Sequence, residues 1–558
     1  MSERQTLLEY AYHWEKTTPQ QVYLTQPLGG SASNVRDYTW AQVMDQARRM
    51  ASYLKGLGLP AASHIAICSK NCAHWVMADL AIWMAGHVTI PVYPILTEDT
   101  TRHILSHSEA KLLFVGKLDP VWDQQMKAGV PEGVRQVAFP LAPKSDLDTW
   151  DAIVAGQQPL KDPVARSADE TATIIYTSGS TGVPKGAMIT FGGMLKCCFG
   201  IDRVIHVHPG DRYLSYLPVA HAMERWIGEC MTIYGGYHVF YANSLDSFVQ
   251  DLQRARPTLF LSVPRLWLKF QRGVFEKMPP ARLDLLLRIP VLSGIVRKKI
   301  LGKLGLDQVR FAGSGSAPIP KEIISWYRRL GLELLEGYGM TENFNYSHLT
   351  KPGQVRAGFI GTPYHDVDCR LAEDGEVQMK GPGLMTGYYK LPEETRETFT
   401  EDGYLRTGDR GELDEIGRLK ITGRTKEIFK TSKGKYVAPA PLENKLVNHP
   451  YAEMCCVSGS GFPQPHAVFM LSDIGRNAVR DTSREQVAGE LKTHVDKLNA
   501  GLDPHERLQF VAVVRDSWMP ENGFLTPTMK IRRAFVEDAY KPYNEKWYAQ
   551  KDLIVWHD

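Results

Sequence analysis

Three glycines, four hydroxyl side chains and one lysine fall within Tyr176-Thr-Ser-Gly-Ser-Thr-Gly-Val-Pro-Lys-Gly186, between an apolar β-branched run at 172–175 and a short apolar run at 187–189. A loop of this kind offers backbone N–H groups, hydroxyls and an ammonium to phosphate oxygens. Its spacing is not that of a Walker A loop. Pro184 stands where a glycine must precede Lys185, and Gly186 where Ser or Thr must follow. The plain alternative is a polar hairpin; the length of the run and its Pro-Lys-Gly ending argue against it.

Six further segments carry chemistry. Tyr216-Leu-Pro-Val-Ala-His221-Ala-Met-Glu-Arg225 places a histidine just past an apolar strand. Ala312-Gly-Ser-Gly-Ser-Ala317 is a small-residue turn that lets a flat ring approach the backbone. Leu335-Glu-Gly-Tyr-Gly-Met-Thr-Glu342 combines an aromatic ring, two glycines, a hydroxyl and a carboxylate. Tyr404-Leu-Arg-Thr-Gly-Asp409 ends in a carboxylate suited to two vicinal hydroxyls. Gly423-Arg424-Thr-Lys426 follows, and Leu525-Thr-Pro-Thr-Met-Lys530 puts one lysine in a loop. Singly, each has an ordinary structural reading: a strand-end histidine belongs to a core or a surface, Gly-Asp to a turn, a lone lysine to solvent.

The elements that must position these residues alternate. Thr39 to Leu57 reads as a helix, with Thr39 and Gln42 as a capping box, Tyr38 and Val43 as a hydrophobic staple, and glycines 56 and 58 as stops. Strand-like 64–69, helix-like 71–85, strand-like 88–93, helix-like 98–107 and strand-like 111–115 follow, the pattern of βαβ units around a mainly parallel sheet. Buried-type strands at 171–177, 258–263 and 308–312 are each followed by Gly-rich or polar segments. Ligands of α/β sheets gather beyond the carboxyl ends of strands, so these ends form the expected active face. After about residue 421 the texture changes to a compact α+β unit, with helices at 441–447 and 484–498 and strands at 455–458, 468–471 and 510–514. The fold expected is a large multi-sheet α/β domain over 1–423 and a small α+β domain over 424–558.

A chain of 558 residues is too long for one core. A hydrophobic fraction of 43% with 10% aromatics is that of a folded globular protein. The formal charge of +3 gives no case for nucleic-acid binding, although Arg297-Lys298-Lys299 with Lys303, and Lys430, Lys433 and Lys435, form local basic groups. The eight cysteines match no zinc or redox spacing and read as reduced core thiols. No signal-peptide core opens the chain and no apolar run reaches the ~18 residues of a membrane span, so the expected location is cytoplasmic.

Taken together and in this order, the segments resemble the adenylate-forming, AMP-binding superfamily of acyl-CoA synthetases, luciferases and peptide-synthetase adenylation domains. The resemblance runs from about residue 20 to about residue 540. Within the superfamily the chain looks most like long-chain fatty acyl-CoA synthetases, through Leu217 to Arg225, Ser262-Val-Pro-Arg-Leu-Trp267, Gly383-Leu-Met-Thr-Gly-Tyr-Tyr389, Lys426 to Pro439 and Glu521 to Lys530. It implies activation of a fatty acid of medium to long chain by ATP, with Mg²⁺, and transfer of the acyl group to coenzyme A with release of AMP and pyrophosphate.

Roles follow residue by residue from the same resemblance. Thr177, Ser178, Gly179, Ser180, Thr181 and Lys185 would hold the β- and γ-phosphates. Glu342, with Thr177, would bind Mg²⁺, since hard oxygen ligands suit that ion. Gly315, Ser316 and Tyr338, with Glu336, Gly337 and Gly339 around the ring, would frame adenine, and Thr341 would contact the α-phosphate. Asp409 would hold the ribose with Arg424 beside it. Lys530 would act as a point charge between carboxylate and α-phosphate, with His221, Glu342 and Thr181 as the other catalytic groups. Lys426 would be the hinge of a mobile small domain that brings Lys433-Gly434 to coenzyme A.

Two competing readings stay open here. The acyl acceptor could be a separate carrier protein, although no carrier domain follows Lys530 in this sequence and Lys433-Gly434 favours coenzyme A. A catalytically dead nucleotide-binding scaffold would have lost Lys530, Glu342 or Asp409, and all three are present. The stretch 269–307 is shorter than in the larger long-chain synthetases. It reads as an amphipathic helix pair, with a membrane-surface patch as the sharper alternative. Trp226 reads as a core aromatic rather than an acyl-tunnel gate. The acid itself is expected near His221 and Trp267. The oligomeric state is left open.

Overall fold

The computed structural model describes residues 4–30, 33–178, 183–317, 319–526 and 529–557. Its contacts divide the chain into two units: Met1–Cys369 with Met379–Leu405 and Ile416–Arg418, and Arg370–Gln378 with Arg406–Glu415 and Leu419–Asp558.

The first unit holds two large sheets. In the eight-stranded sheet, strands Thr171–Ser178, Val88–Val92, His64–Cys68, Leu112–Val115, Arg135–Ala138 and Asp148–Thr149 lie side by side in that order and run parallel. Pro184–Thr190 and Gly387–Tyr388 add antiparallel to its other edge. In the nine-stranded sheet a parallel core runs from Leu334–Tyr338 through Phe311–Ser314, Leu259–Ser262, Arg212–Ser215 and His238–Tyr241 to Val22–Pro27. The alternation expected from the sequence is therefore realised twice.

Local signals set the element ends. Helix Trp40–Gly56 begins at Thr39, whose hydroxyl accepts Gln42 N–H at 3.3 Å while Gln42 Oε1 accepts Thr39 N–H at 2.9 Å. Its apolar stripe, Val43, Ala47, Met50, Ala51 and Leu54, is fully buried. The strand expected at 308–312 begins and ends later, at Phe311–Ser314. Pairing with its neighbour starts only at Phe311↔Leu259, and Val309 N–H is held in a turn by Leu306 O. The helix expected from 71 begins at Ala73, because the Asn71 side chain bonds the distant Leu217 carbonyl instead of capping.

Helix Ala73–Met84 is buried on every side and carries Asp79 into the core. There Asp79 meets Arg225 at 2.6 Å, and Arg225 meets Glu229 at 3.0 Å; all three side chains are out of water. Thr89 also donates to Asp79. In the second unit, strands Ala452–Ser458, His466–Leu471, Val511–Val514 and Ile554–His557 form a sheet with helices on both faces. Cys455 and Val457 face helices Pro439–Leu446 and Arg484–Ala500, whereas Met454 and Cys456 face Val536, Tyr540 and Trp547. That is the period-two alternation of a strand covered twice. All eight cysteines are free thiols, seven of them buried. Among the described residues no helix is long and apolar enough to cross a membrane.

Removing one partner of a buried ion pair strands the other charge. Asp79→Ala is expected to lower the stability of the first unit by about 3–5 kcal/mol in chemical denaturation, and a loss under 1 kcal/mol would refute the pairing.

Candidate functional site

Four neighbouring parallel strands of the nine-stranded sheet bring residues 221, 315, 316 and 338–342 to one edge. Arg212–Ser215 leads into the loop to His221, Phe311–Ser314 into Gly315 and Ser316, and Leu334–Tyr338 into Thr341 and Glu342, with Leu259–Ser262 between the first two. His221 caps the short helix Ala222–Glu224, and its Nδ1 accepts Met223 N–H at 3.2 Å. In a neutral imidazole that bond leaves the proton on Nε2.

Tyr338 closes its strand, partly exposed, beside the buried His348 ring. Ser316 adopts φ 70°, and a Cβ on Gly315 would lie only 3.4 Å from Gly337 O, so the two strand ends lie close together. A Cβ on Gly339 would lie 2.5 Å from the Asn345 backbone, which reserves that position for glycine. Glu336 is buried, and its Oε1 accepts Ile319 N–H at 3.2 Å. Its Oε2, Ser314 Oγ, His348 Nε2 and Thr350 Oγ1 are buried without a hydrogen-bond partner among the described residues. Ser314 pairs with Glu336 in register, so this edge carries orphaned polar groups that a polar ligand could satisfy. Burial drives the Glu336 carboxyl up to about 7 and the His348 imidazole down to about 3.

The other wall comes from the eight-stranded sheet. Thr177 pairs with Lys185, and Ser178 with Pro184, across the stem of the Gly-rich loop. Gly179, Ser180 and Thr181 lie outside the described residues. Gly186 is required there, since a Cβ would lie 2.7 Å from Ile174. Lys185 Nζ lies 5.2 Å from the centre of the Tyr388 ring. The Tyr388 hydroxyl donates to Glu342 Oε1 at 2.7 Å. Burial first, then Glu342, pushes the Tyr388 phenol far up, which keeps it a donor. The segment 385–389 is laced to both neighbours, through Met385 N–H to Glu342 O and Tyr389 N–H to Gly186 O, each at 2.8 Å. Lysine, phenol and carboxylate, from three distant parts of the sequence, thus form one chain of contacts. Among the described residues no three His, Cys, Asp or Glu side chains are grouped as a metal cage.

In the second unit, Asp409 is buried in strand Leu405–Leu413 and sits opposite Arg424, whose Nε donates to it at 3.0 Å. Lys426 follows two residues on, and Lys433 is exposed beside Gly434, which turns at φ 75°. Lys530 is exposed, and its loop is closed by Thr526 N–H to Lys530 O at 2.8 Å.

Sequence reasoning did not single out Tyr388 or Asn71, nor the buried charges Asp79, Glu224 and Glu229. Tyr388 lay within the Gly383–Tyr389 segment and Glu224 within the His221 segment, but neither was separable from its neighbours. Trp226 is buried, edge-on to the stacked pair Tyr346 and Tyr364. Trp267, around which with His221 the acid is expected, is packed among Phe260, Phe270 and Tyr327, and its indole N–H goes to Gly313 O. Its helix starts at Pro264 and turns that face inward against the sheet.

The family profile described as AMP-binding enzyme matches residues 12–389, and that described as AMP-binding enzyme C-terminal domain matches residues 426–552. The chain is 28% identical to fatty acyl-CoA synthetase A of Dictyostelium discoideum, over 92% of this chain and 86% of that protein. It is 28% identical to a long-chain-fatty-acid–CoA ligase of Mycobacterium bovis, over 99% of this chain and 98% of that one. In fold it is similar to the crystal structure of the adenylation domain of a carboxylate reductase from Mycobacterium chelonae, with a TM-score of 0.82 and 20% identity over 98% of this chain and 91% of that one.

The raised Glu336 carboxyl has a measurable consequence. The folded state holds a proton that the unfolded carboxyl, near its ordinary 4.5, gives up, so this contribution to stability is full below pH 4.5 and lost as pH rises through about 7. Glu336→Gln needs no proton. Its stability relative to the parent protein should rise across pH 4.5 to 7.5 by on the order of 2–3 kcal/mol. A pH-independent difference in ligand-free thermal denaturation would contradict the assignment.

Proposed function

We propose, since the chain belongs to the AMP-binding enzyme family, that it is an ATP-dependent ligase joining a fatty acid of medium to long chain to coenzyme A. The observation that carries this reading is the chain of contacts Lys185–Tyr388–Glu342 at the stem of the Gly-rich loop. The full-length similarity to fatty acyl-CoA ligases supports the choice of acid and acceptor.

In the first step a carboxylate oxygen attacks the α-phosphorus of ATP and pyrophosphate leaves. In the second the thiol of coenzyme A attacks the acyl carbonyl and AMP leaves. Both steps move charge onto oxygens, so fixed cations and N–H donors contribute most. Lys185, with Thr177, Ser178, Gly179, Ser180 and Thr181, takes the β- and γ-phosphates. The buried carboxylate of Glu342, held by the Tyr388 hydroxyl, fits Mg²⁺, which uses few protein ligands and shares substrate phosphates. When bound, that ion supplies charge neutralisation at the phosphates. Glu336 to Gly339, with Gly315 and Ser316, frame adenine, the orphaned polar atoms at this edge being available to its ring nitrogens. Thr341 contacts the α-phosphate. Asp409 accepts the ribose hydroxyls, and Arg424 fixes the orientation of its carboxylate. Lys530 pairs with the carboxylate and the α-phosphate. Lys426 serves as the hinge between domains 1–423 and 424–558, and Lys433-Gly434 meets coenzyme A.

We extend the reading to a membrane surface. The helix pair Pro280–Arg288 and Pro290–Leu304 was read as an ordinary amphipathic pair, yet it leaves Leu285 62%, Val291 77% and Ile295 60% exposed, with Ile289 and Leu292 beside them. Arg282, Arg288, Lys298, Lys299 and Lys303 are exposed on the same two helices, and the acidic Asp284 is paired with Arg329. Aliphatic side chains among cations suit an anionic bilayer, the source of a water-insoluble substrate.

Three experiments test these readings. Pyrophosphate release should depend on ATP and on fatty acids within the range of six to twenty carbons, with thioester formed only when coenzyme A is added; no release with any of them refutes the substrate. Lys530→Ala should lower adenylation at least about 100-fold, and an unchanged rate refutes its role. Co-sedimentation with phosphatidylglycerol vesicles should exceed that with phosphatidylcholine. It should fall at least about tenfold in Val291→Glu with Ile295→Glu, as two aliphatic chains no longer insert; equal binding by parent and variant removes the membrane assignment.

A further inference from the structure

Glu224 lies three residues after His221 and is completely buried. Taking a carboxyl out of water is costly, and an apolar residue would fill the space more cheaply. Its hydrogen bonds show what it does there. Oε1 accepts the Ser215 hydroxyl at 2.7 Å, and Oε2 accepts the Tyr213 hydroxyl at 2.8 Å. Ser215 ends the strand that leads to His221, and Tyr213 lies within it. The carboxyl therefore ties the helix after the histidine back to the strand before it.

Asn71 grips the same segment from the other sheet. It follows strand His64–Cys68, and its Nδ2 donates to Leu217 O at 2.6 Å and to Ser215 Oγ at 2.8 Å. Its Oδ1 accepts Val219 N–H at 3.2 Å, and Nδ2 also reaches Glu224 Oε1 at 3.5 Å. His221 N–H then closes a turn on Pro218 O at 2.9 Å. Beyond the strand ladder and the Tyr216 hydroxyl, which bonds Ser262 and Leu261, the side-chain anchors of this segment lead to Glu224 and to Asn71.

The chain after Glu224 is shaped to allow this. Arg225–Cys230 is a π-helix, a rare form found frequently at functional sites. A Cβ on Gly228 would lie 2.4 Å from Glu224 Oε1, so only glycine lets the wide turn pass over the carboxyl. Arg225, pinned by Asp79 and Glu229, stops the turn from relaxing.

We propose that Glu224 and Asn71 are positioning residues for His221, holding its loop between the two sheets so that the Nε2 side of the imidazole faces the reacting carboxylate. The inference rests on the reading of His221 as an active-site residue. A second-layer residue of this kind acts through its partner, so its effect should vanish when the partner is removed.

The test is a double-mutant cycle on the full-length enzyme, reading fatty acid-dependent pyrophosphate release corrected for the fraction of sites that form acyl-adenylate. His221→Ala should be slow. Glu224→Ala should lower kcat about 30-fold with KM for ATP within about twofold, and Glu224→Gln, which keeps the shape, one acceptor oxygen and an N–H that a rotated hydroxyl can accept, should stay within about threefold of the parent. In the His221→Ala background Glu224→Ala should cost no more than about threefold further. Where Glu224→Ala fails to fold, Asn71→Ala goes through the same cycle, since it leaves the carboxyl with its two hydroxyl donors. Multiplicative losses, or an alanine variant at the parental rate, overturn the positioning role while His221 stands. A His221→Ala enzyme of full activity overturns the reading of the histidine itself, and the positioning role with it.

Discussion

Parallel strands deliver their carboxyl ends to a single edge, and the candidate site depends on that constraint. Arg212–Ser215, Leu259–Ser262, Phe311–Ser314 and Leu334–Tyr338 are consecutive in the nine-stranded sheet. Each backbone is committed to its neighbours until it reaches the edge, where the chain is released into loops. Those loops hold His221, Gly315, Ser316 and Glu342. Their proximity needs no special contact between them; it follows from ladder pairing such as Ser314↔Glu336. The orphaned polar atoms of Ser314, Glu336, His348 and Thr350 fall at the same edge because paired residues of adjacent strands point to the same face.

The second wall has a different origin. Thr171–Ser178 and Pro184–Thr190 form an antiparallel stem that presents the Gly-rich loop, and Gly387–Tyr388 adds to it as a further strand. The phenol of Tyr388 thereby comes between Lys185 and Glu342 and bonds the two walls together. It is both a spacer and a hydrogen-bond donor, and its burial keeps it protonated.

Beneath these walls the first unit buries a cluster of ionisable groups. Asp79, Arg225, Glu224 and Glu229 are all excluded from water. Burial drives the Glu224 carboxyl up to about 8, and burial first, then the neighbouring Asp79, drives the Glu229 carboxyl up as well. Such groups weaken a core unless they are bonded, and helix Ala73–Met84, strand Arg212–Ser215 and the π-turn after His221 supply most of the partners, with Arg225 Nε and Glu229 Oε1 left without one among the described residues. The same bonds that satisfy the charges fix the segment that carries the histidine.

Local patterns in the sequence were sufficient for the capping box at Thr39 and Gln42, for the alternation of helices and strands, and for the family, because each rests on neighbours a few residues apart or on one contiguous motif. They were sufficient for neighbours such as Asp409 and Arg424 only as an expectation; the register of two antiparallel strands placed them opposite one another. Tyr388 with Glu342, Asn71 with Leu217 and Asp79 with Arg225 had no such signature. The members of each pair are separated by 46, 146 and 146 residues, and nothing local distinguishes them from other tyrosines, asparagines and aspartates. Trp267 is a further case, a residue that its helix turns into the core among rings from distant segments. The order of the chain determined which chemistry could be present and which elements would carry it. Only the tertiary structure decided which buried groups meet, since a group taken out of water must bond to whatever polar atom the packing of distant segments leaves within reach.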